Sequence, residues 1–320
     1  MSILKKAFTL TWKNRYLWWY GFFITLSGVG SFNYLFNNNR NGRRDLVHQH
    51  AIGNFISQNT HWLVIGAIII LILYAIFLIL GIIARGALID SLGKRLKDEN
   101  STFRSGFNRG RRFFGRIALV AILMDLFALA SIIVLIAPVA FLFLSQAYLV
   151  GVFMGILAVI ILVPILLLAY YLKTYAYIYA VLGDLRFWPA IERAYVLLQE
   201  NILASLIMGL IFIPISLALA IAIIMAAIPI FIIFLGIGLV LYLLLGQMGI
   251  IVTVILGFIC FFIFLFLIRS AYEVFAQAVW LIFFRQIASP KVKEAVTEPE
   301  PEIKVAPKAM PIIDIEKSGK

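Results

Sequence analysis

Sixty-eight consecutive residues, Asn201 to Ile268, contain no Asp, Glu, Lys or Arg. A run of that length cannot be hidden in a soluble core. A helix crosses a bilayer with about 20 apolar residues, so the run predicts two long crossings or three short ones. Four further apolar runs precede it, and none shows the strict alternation of a membrane strand. The whole chain is 63% hydrophobic and 13% charged, with mean hydropathy +1.04. Soluble domains average about half apolar and about a quarter charged. The predicted fold is all-α: a polytopic membrane helix bundle of about six transmembrane helices, at about 16–36, 62–84, 117–144, 148–172, 202–227 and 249–268. Residues 1–288 then form one integral membrane domain. The Pro-, Glu- and Lys-rich residues 289–320 form a disordered cytoplasmic tail.

The segments between the runs are basic and aromatic. In TFRSGFNRGRRFFGR (Thr102–Arg116), Phe103, Phe107 and Phe114 fall near one helical face, and Arg109, Arg112 and Arg116 on another. Such a helix is expected to lie in a membrane interface, rings in the acyl boundary and guanidiniums at anionic headgroups. Arg104, Arg109, Arg111, Arg112 and Arg116 are therefore the headgroup candidates. Ser2–Arg15 repeats the idea through Leu4, Phe8 and Trp12, and Arg186–Glu200 repeats it again, opened by Trp188–Pro189. The late apolar run after Arg15, with Trp18, Trp19 and Tyr20, does not read as a cleavable signal.

Basic residues set the orientation. The N-terminus carries 4 Lys and Arg, the 85–116 region 9, the 173–200 region 3 and the region after Ile268 8; the 37–61 loop carries 3. That asymmetry puts both termini in the cytoplasm of a multi-pass cell-membrane protein and requires an even number of crossings. A seventh crossing inside 201–270 would place the basic tail outside. The net charge of +12 sits beside membrane segments, so anionic lipid is the expected partner and nucleic acid is not.

The pattern repeats. Phe103, Gly106, Phe107, Arg109, Phe113 and Phe114 match Phe187, Ala190, Ile191, Arg193, Leu197 and Leu198 at an offset of 84, and Leu4, Ala7 and Phe8 match the start of both. A cation follows the second run of each unit: Arg85, Lys173 and Arg269. The predicted unit is an amphipathic interfacial helix followed by a helical hairpin, in three copies.

These stretches, above all YIYAVLGDLRFWPAIERAYVLLQEN with Ala190, Ala194, Tyr195 and Asn201, resemble the glycerophosphoryl diester phosphodiesterase membrane-domain family and related uncharacterised six-helix integral membrane proteins. The resemblance covers most of residues 3–287 and implies a six-helix bundle. The family's catalytic activity belongs to a separate soluble barrel. No phosphodiesterase barrel and no matching His/Glu/Asp set stand in this sequence, so the resemblance implies no enzyme.

Candidate chemistry is sparse. Asp125 is the carboxylate well inside a run, where insertion costs about 2.5–3.5 kcal/mol; such residues are functional-site hypotheses by default. Arg85, Lys173 and Arg269 are within its expected reach, and the choice lies between a coupling carboxylate and a structural ion pair. Arg269 and Glu273 stand at i, i+4 and are expected to pair. His48, His50 and His61 share a loop but lack a completing ligand, so no metal or other cofactor is expected. P-loop, HExxH, G-x-S-x-G and CxxC motifs are absent, and Cys260 stands alone. The expected function is a non-enzymatic integral membrane protein that organises lipid or a partner protein in the cell envelope, possible partners including a second copy. The alternative is a small transporter or lipid-translocating protein using Asp125 and helices kinked at Pro138, Pro164, Pro214 and Pro229.

Overall fold

The computed structural model describes residues 2–28 and 60–288. These fold into α1 (Ser2–Lys13), a 3-10 turn (Arg15–Leu17), α2 (Trp18–Ser27), α3 (Thr60–Arg95), α4 (Phe103–Leu144), α5 (Tyr148–Leu182), α6 (Phe187–Glu200), α7 (Ile202–Leu245) and α8 (Gln247–Ile287). Among the described residues there is no strand. Five helices, α3, α4, α5, α7 and α8, are long and apolar enough to cross a membrane. Of the first expected crossing, 16–36, the described part ends at Gly28. Its remainder, the loop with His48 and His50, and the tail 289–320 lie outside the described residues.

The middle amphipathic stretch is not a separate surface helix. It forms the first turns of α4, 42 residues without a break. Thr102 starts that helix with a capping box, its hydroxyl accepting from the Ser105 N–H at 3.4 Å. The region 201–270 is likewise simpler than a three-crossing reading: α7 runs 44 residues through Pro214 and Pro229 and stops at Gly246, at φ +63°. A left-handed turn of that kind suits a residue without Cβ. The Phe234 ring, the Leu241 backbone and the Thr253 side chain lie against Gly257, Gly249 and Gly238, which sets 222–241 opposite 249–268.

The five long helices have 35 to 44 residues, or about 52–66 Å at 1.5 Å per residue, against a hydrocarbon core of about 30 Å. Each has length for two layers, and burial divides four of them in that way; α7 is exposed along nearly its whole length, with Ser205 and Met208 buried. In α3, Ile70 is 68% exposed, whereas every residue from Ala84 to Gly93 except Arg85 is buried. In α5 the division falls near Ala169, and in α8 near Ser270. In α4, Gly106, Gly110, Phe113, Ile117, Val120 and Met124 are buried and the second half is exposed. One packed layer thus collects at the basic ends of the helices, and apolar halves extend from it.

The packing of that layer is cyclic. The helices that return to the basic end, α3, α5 and α8, touch one another at the centre. Around them α1 packs on α8, the start of α4 on α3, and α6 on α5. Each outer segment presents a buried pair of small residues at i, i+4: Ala7 and Thr11, Gly106 and Gly110, Ala190 and Ala194. A Cβ at Gly110 would collide with the Ile83 carbonyl, and one at Gly106 with the hydroxyls of Tyr20 and Ser91. Close backbone approach is the reason for the small residues. The residue after each returning cation, Gly86, Thr174 or Ser270, is buried as well. Trp280 fills the middle, 2% exposed, in ring contact with Tyr171, Tyr175, Phe212 and Phe283.

Candidate functional site

Charged side chains form a belt where the packed layer meets the apolar halves. Lys173 donates to Asp125 Oδ1 at 2.5 Å. Arg269 pairs with Glu273 at 3.2 Å and lies over Tyr272. Arg85 lies over the Tyr177 ring, its guanidinium carbon 5.4 Å from the centroid. The structure therefore gives Asp125 to Lys173 and keeps Arg85 and Arg269 on other partners. Beyond Asp125, α4 has 19 residues to Leu144, about 28 Å of helix and close to one hydrocarbon thickness. Asp125 stands where the buried face of α4, from Gly106 to Met124, ends.

Below the belt, at the tips of the returning helices, lies a cavity of about 750 Å³. Asp90, 5% exposed, is its innermost charge. Arg109 Nη1 donates to Asp90 Oδ1 at 3.0 Å, and Lys94 lies 3.3 Å from Oδ2. Arg112 is 3.8 Å from Asp184, Arg116 donates to the Asp184 carboxylate and to its carbonyl (2.6 Å), and Arg285 donates to the Gly93 carbonyl at 3.0 Å. Of the five headgroup candidates, Arg109, Arg112 and Arg116 thus hold carboxylates of α3 and of the turn after α5. Arg104 and Arg111 are exposed. The rings of that stretch are also engaged: Phe103 stacks on Tyr20 at 4.9 Å, and Phe113 is 7% exposed.

The charge balance limits what this cavity can hold. Lys94, Lys97, Arg109, Arg112 and Arg285 face Asp90, Glu99 and Asp184. The C-terminal ends of α3, α5 and α8 point into the same place, each carrying about half a negative charge. The cations are thus largely used in neutralising carboxylates and helix ends, and the cavity as a whole is near neutral. It ties four helices together.

Asp90 and Asp184 were not singled out by sequence reasoning. A weak signal existed: Asp90 stands four residues before Lys94, and Asp184 follows Gly183 in a turn where its own φ is +50°. His61 is exposed at the start of α3, and among the described residues no three His, Cys, Asp or Glu gather as a metal site.

Two apolar grooves lie among the upper halves. One, of about 910 Å³, runs between α7 and α8. The other, about 660 Å³, runs between α2 and α8, with Arg15 at its basic end. In the exposed halves the polar side chains Ser131 and Thr253 each donate to the carbonyl four residues back, at 2.8 Å, and Ser216 does likewise. Compared with protein-family models, characterised proteins and solved structures, the chain matches none. Its class rests on its own architecture: among the described residues, an all-helical fold with five helices long and apolar enough to cross a membrane.

Proposed function

We propose that this is a non-enzymatic, six-crossing cell-membrane protein with cytoplasmic termini, and that its basic layer organises anionic lipid at the inner leaflet. The observation that carries the reading is the division of the molecule. Nearly all the buried side chains lie at the basic end, and the apolar halves, which touch one another mainly at glycines, expose Ile, Leu, Val and Phe outward. Such surface is stable only against acyl chains. The belt of Arg85, Asp125–Lys173 and Arg269–Glu273 marks the inner edge of the hydrocarbon. Arg104, Arg111 and the exposed lysines of α1 then face headgroups, where each cation near an anionic surface contributes about 1 kcal/mol. The stacked, exposed rings of Phe8 and Trp12, with centroids 5.7 Å apart, suit the same interface.

The cyclic contact of outer segments with returning helices, each through a small-residue pair, supports a threefold repeat of one hairpin. It is also what the resemblance to the six-helix membrane-domain family implies. The transporter alternative needs polar groups along a path through the apolar halves. Ser131, Ser216 and Thr253 bond their own helices instead, and Asp125 is paired at the edge.

Two measurements test the reading. With Cys260 replaced by Ser, single cysteines at positions 2 and 318 are expected to react only after the membrane is permeabilised, and one at position 57 from outside. Reaction of position 318 from outside removes the six-crossing arrangement. Spin-labelled phosphatidylglycerol is expected to be enriched over phosphatidylcholine around the reconstituted protein, with the enrichment falling as salt rises. Equal populations at low salt remove the lipid role.

A further inference from the structure

We propose that the groove between α2 and α8 holds one anionic phospholipid, an acyl chain along the groove and the phosphate at Arg15. The inference rests on the reading above for the side of the membrane on which Arg15 lies. The groove is bounded at its basic end by Arg15 and Ser270 and extends along α8 to Phe258. Those 12 residues of helix amount to about 18 Å, close to the depth of one leaflet, about 15 Å. Its volume of about 660 Å³ falls within the usual range for a small-molecule site.

The lining selects the occupant. Trp18, Trp19, Phe22, Phe258, Phe262 and Leu267 present large side chains along the walls. Helices that associate in membranes approach through Gly, Ala, Ser and Thr, as α4 does on α3 through Gly106 and Gly110. On this face the small residues are already used: Gly21 sits against the Ser270 backbone, and the Ser270 hydroxyl donates to the Trp18 carbonyl. That contact closes the floor and leaves an open trough between bulky walls. A flexible chain fits such a trough, whereas another helix would be held off by its rims.

Arg15 supplies the head-end recognition. It is exposed, and no ion pair among the described residues includes it. The belt cations differ: Lys173 has Asp125, Arg269 has Glu273 and Arg85 has the Tyr177 ring. Arg15 is set by the 3-10 turn, and the Trp18 indole N–H beside it donates to the Thr11 carbonyl at 3.2 Å, fixing one wall. A guanidinium at the end of an apolar trough matches a phosphate that carries a chain.

The test is native mass spectrometry of the full chain released from mild detergent, with equal phosphatidylglycerol and phosphatidylcholine added. One phosphatidylglycerol is expected to remain bound, with about tenfold preference. Arg15→Gln is expected to cut that preference to about twofold, and Ile259→Trp, which fills the trough, to lower retention of both lipids. Glycerol phosphate, which has the headgroup chemistry without a chain, is expected not to displace the lipid. A second reading on the unaltered protein is quenching of Trp19 fluorescence by phosphatidylglycerol with brominated chains, taken as the difference from Trp19→Phe. Equal retention of the two lipids, displacement by glycerol phosphate, a second copy bound in place of lipid, or absence of quenching each overturns the proposal. If spin-label enrichment of anionic lipid persists while no single lipid is retained, this site fails and the general lipid role stands.

Discussion

The two halves of α3 follow opposite rules. From Trp62 to Ile79 the side chains are bulky, aliphatic and almost all exposed; from Ala84 to Gly93 they include Ala, Gly, Ser and Asp and are almost all buried. The more hydrophobic half packs less. In water this would be paradoxical, but lipid tails are as apolar as leucine, so apolarity places a helix in the bilayer without bringing it to a neighbour. What assembles the packed layer is close backbone contact at small residues, aromatic filling around Trp280, and carboxylates enclosed by cations. The lesson is that hydropathy locates the crossings of this chain and says little about where it is held together.

The sharpest way to break that contrast is to truncate one large side chain in each half. Trp280→Ala is expected to cost about 3–5 kcal/mol, the range for a fully buried aromatic. Ile70→Ala, at a side chain 68% exposed, is expected to stay within about 0.5 kcal/mol. Unfolding by denaturing detergent in mixed micelles reads both. Comparable losses at the two positions would mean that the apolar halves pack against something, and the division of the molecule would no longer describe it.

A second comparison adds a methyl branch instead of removing a ring. At Gly110 a Cβ meets the Ile83 carbonyl, which is backbone, and the Ala87 Cβ at 3.0 Å, so α4 must move off α3. Gly110→Val is expected to cost about 1–3 kcal/mol by overpacking. At Gly66, in the exposed half of α3, nothing lies within 4 Å of an added Cβ, and Gly66→Val should leave the same transition unmoved. A tolerated Gly110→Val would sever the link between small residues and assembly.

Much of this was legible in the sequence. The five long apolar helices were visible because a run such as Ile202–Ile268 has no alternative use. The cations Arg85, Lys173 and Arg269 end their runs, and the structure sets a buried small residue directly after each. What escaped is of two kinds. Hydropathy cuts a chain where polarity changes, but a helix ends where its hydrogen bonds end. Arg116 therefore looked like the border of a surface helix, although α4 passes through it. The other kind is distance: Arg109 finds Asp90 at 19 residues' separation and Arg116 finds Asp184 at 68. Basic residues whose partners lie that far off look free in the sequence. The pair Gly106 and Gly110 stood in plain view as a small-xxx-small spacing among more conspicuous arginines and phenylalanines.

The smallest expected effect decides where the contrast begins. Asp125 is 67% exposed and pairs with Lys173, itself 21% exposed, at the level where packing ends. If that level is the inner edge of the hydrocarbon, water and headgroups screen the pair, and its worth is about 0–1 kcal/mol. Asp125→Asn should then shift the unfolding transition only slightly, and the cycle with Lys173→Gln should give a coupling of the same small size. If instead the hydrocarbon reaches down over the packed layer, removing the carboxylate leaves a lysine in a medium that cannot solvate it. The cost then rises toward the 3–5 kcal/mol of a broken buried pair. A coupling above about 2 kcal/mol would move the membrane edge toward Asp90. It would turn the lower apolar face of α7, where Leu203 and Leu210 are 68% and 65% exposed, from a surface at the headgroups into one inside the acyl region. The same single number therefore fixes both the depth of the bundle and the meaning of its one ion pair between α4 and α5 at the belt.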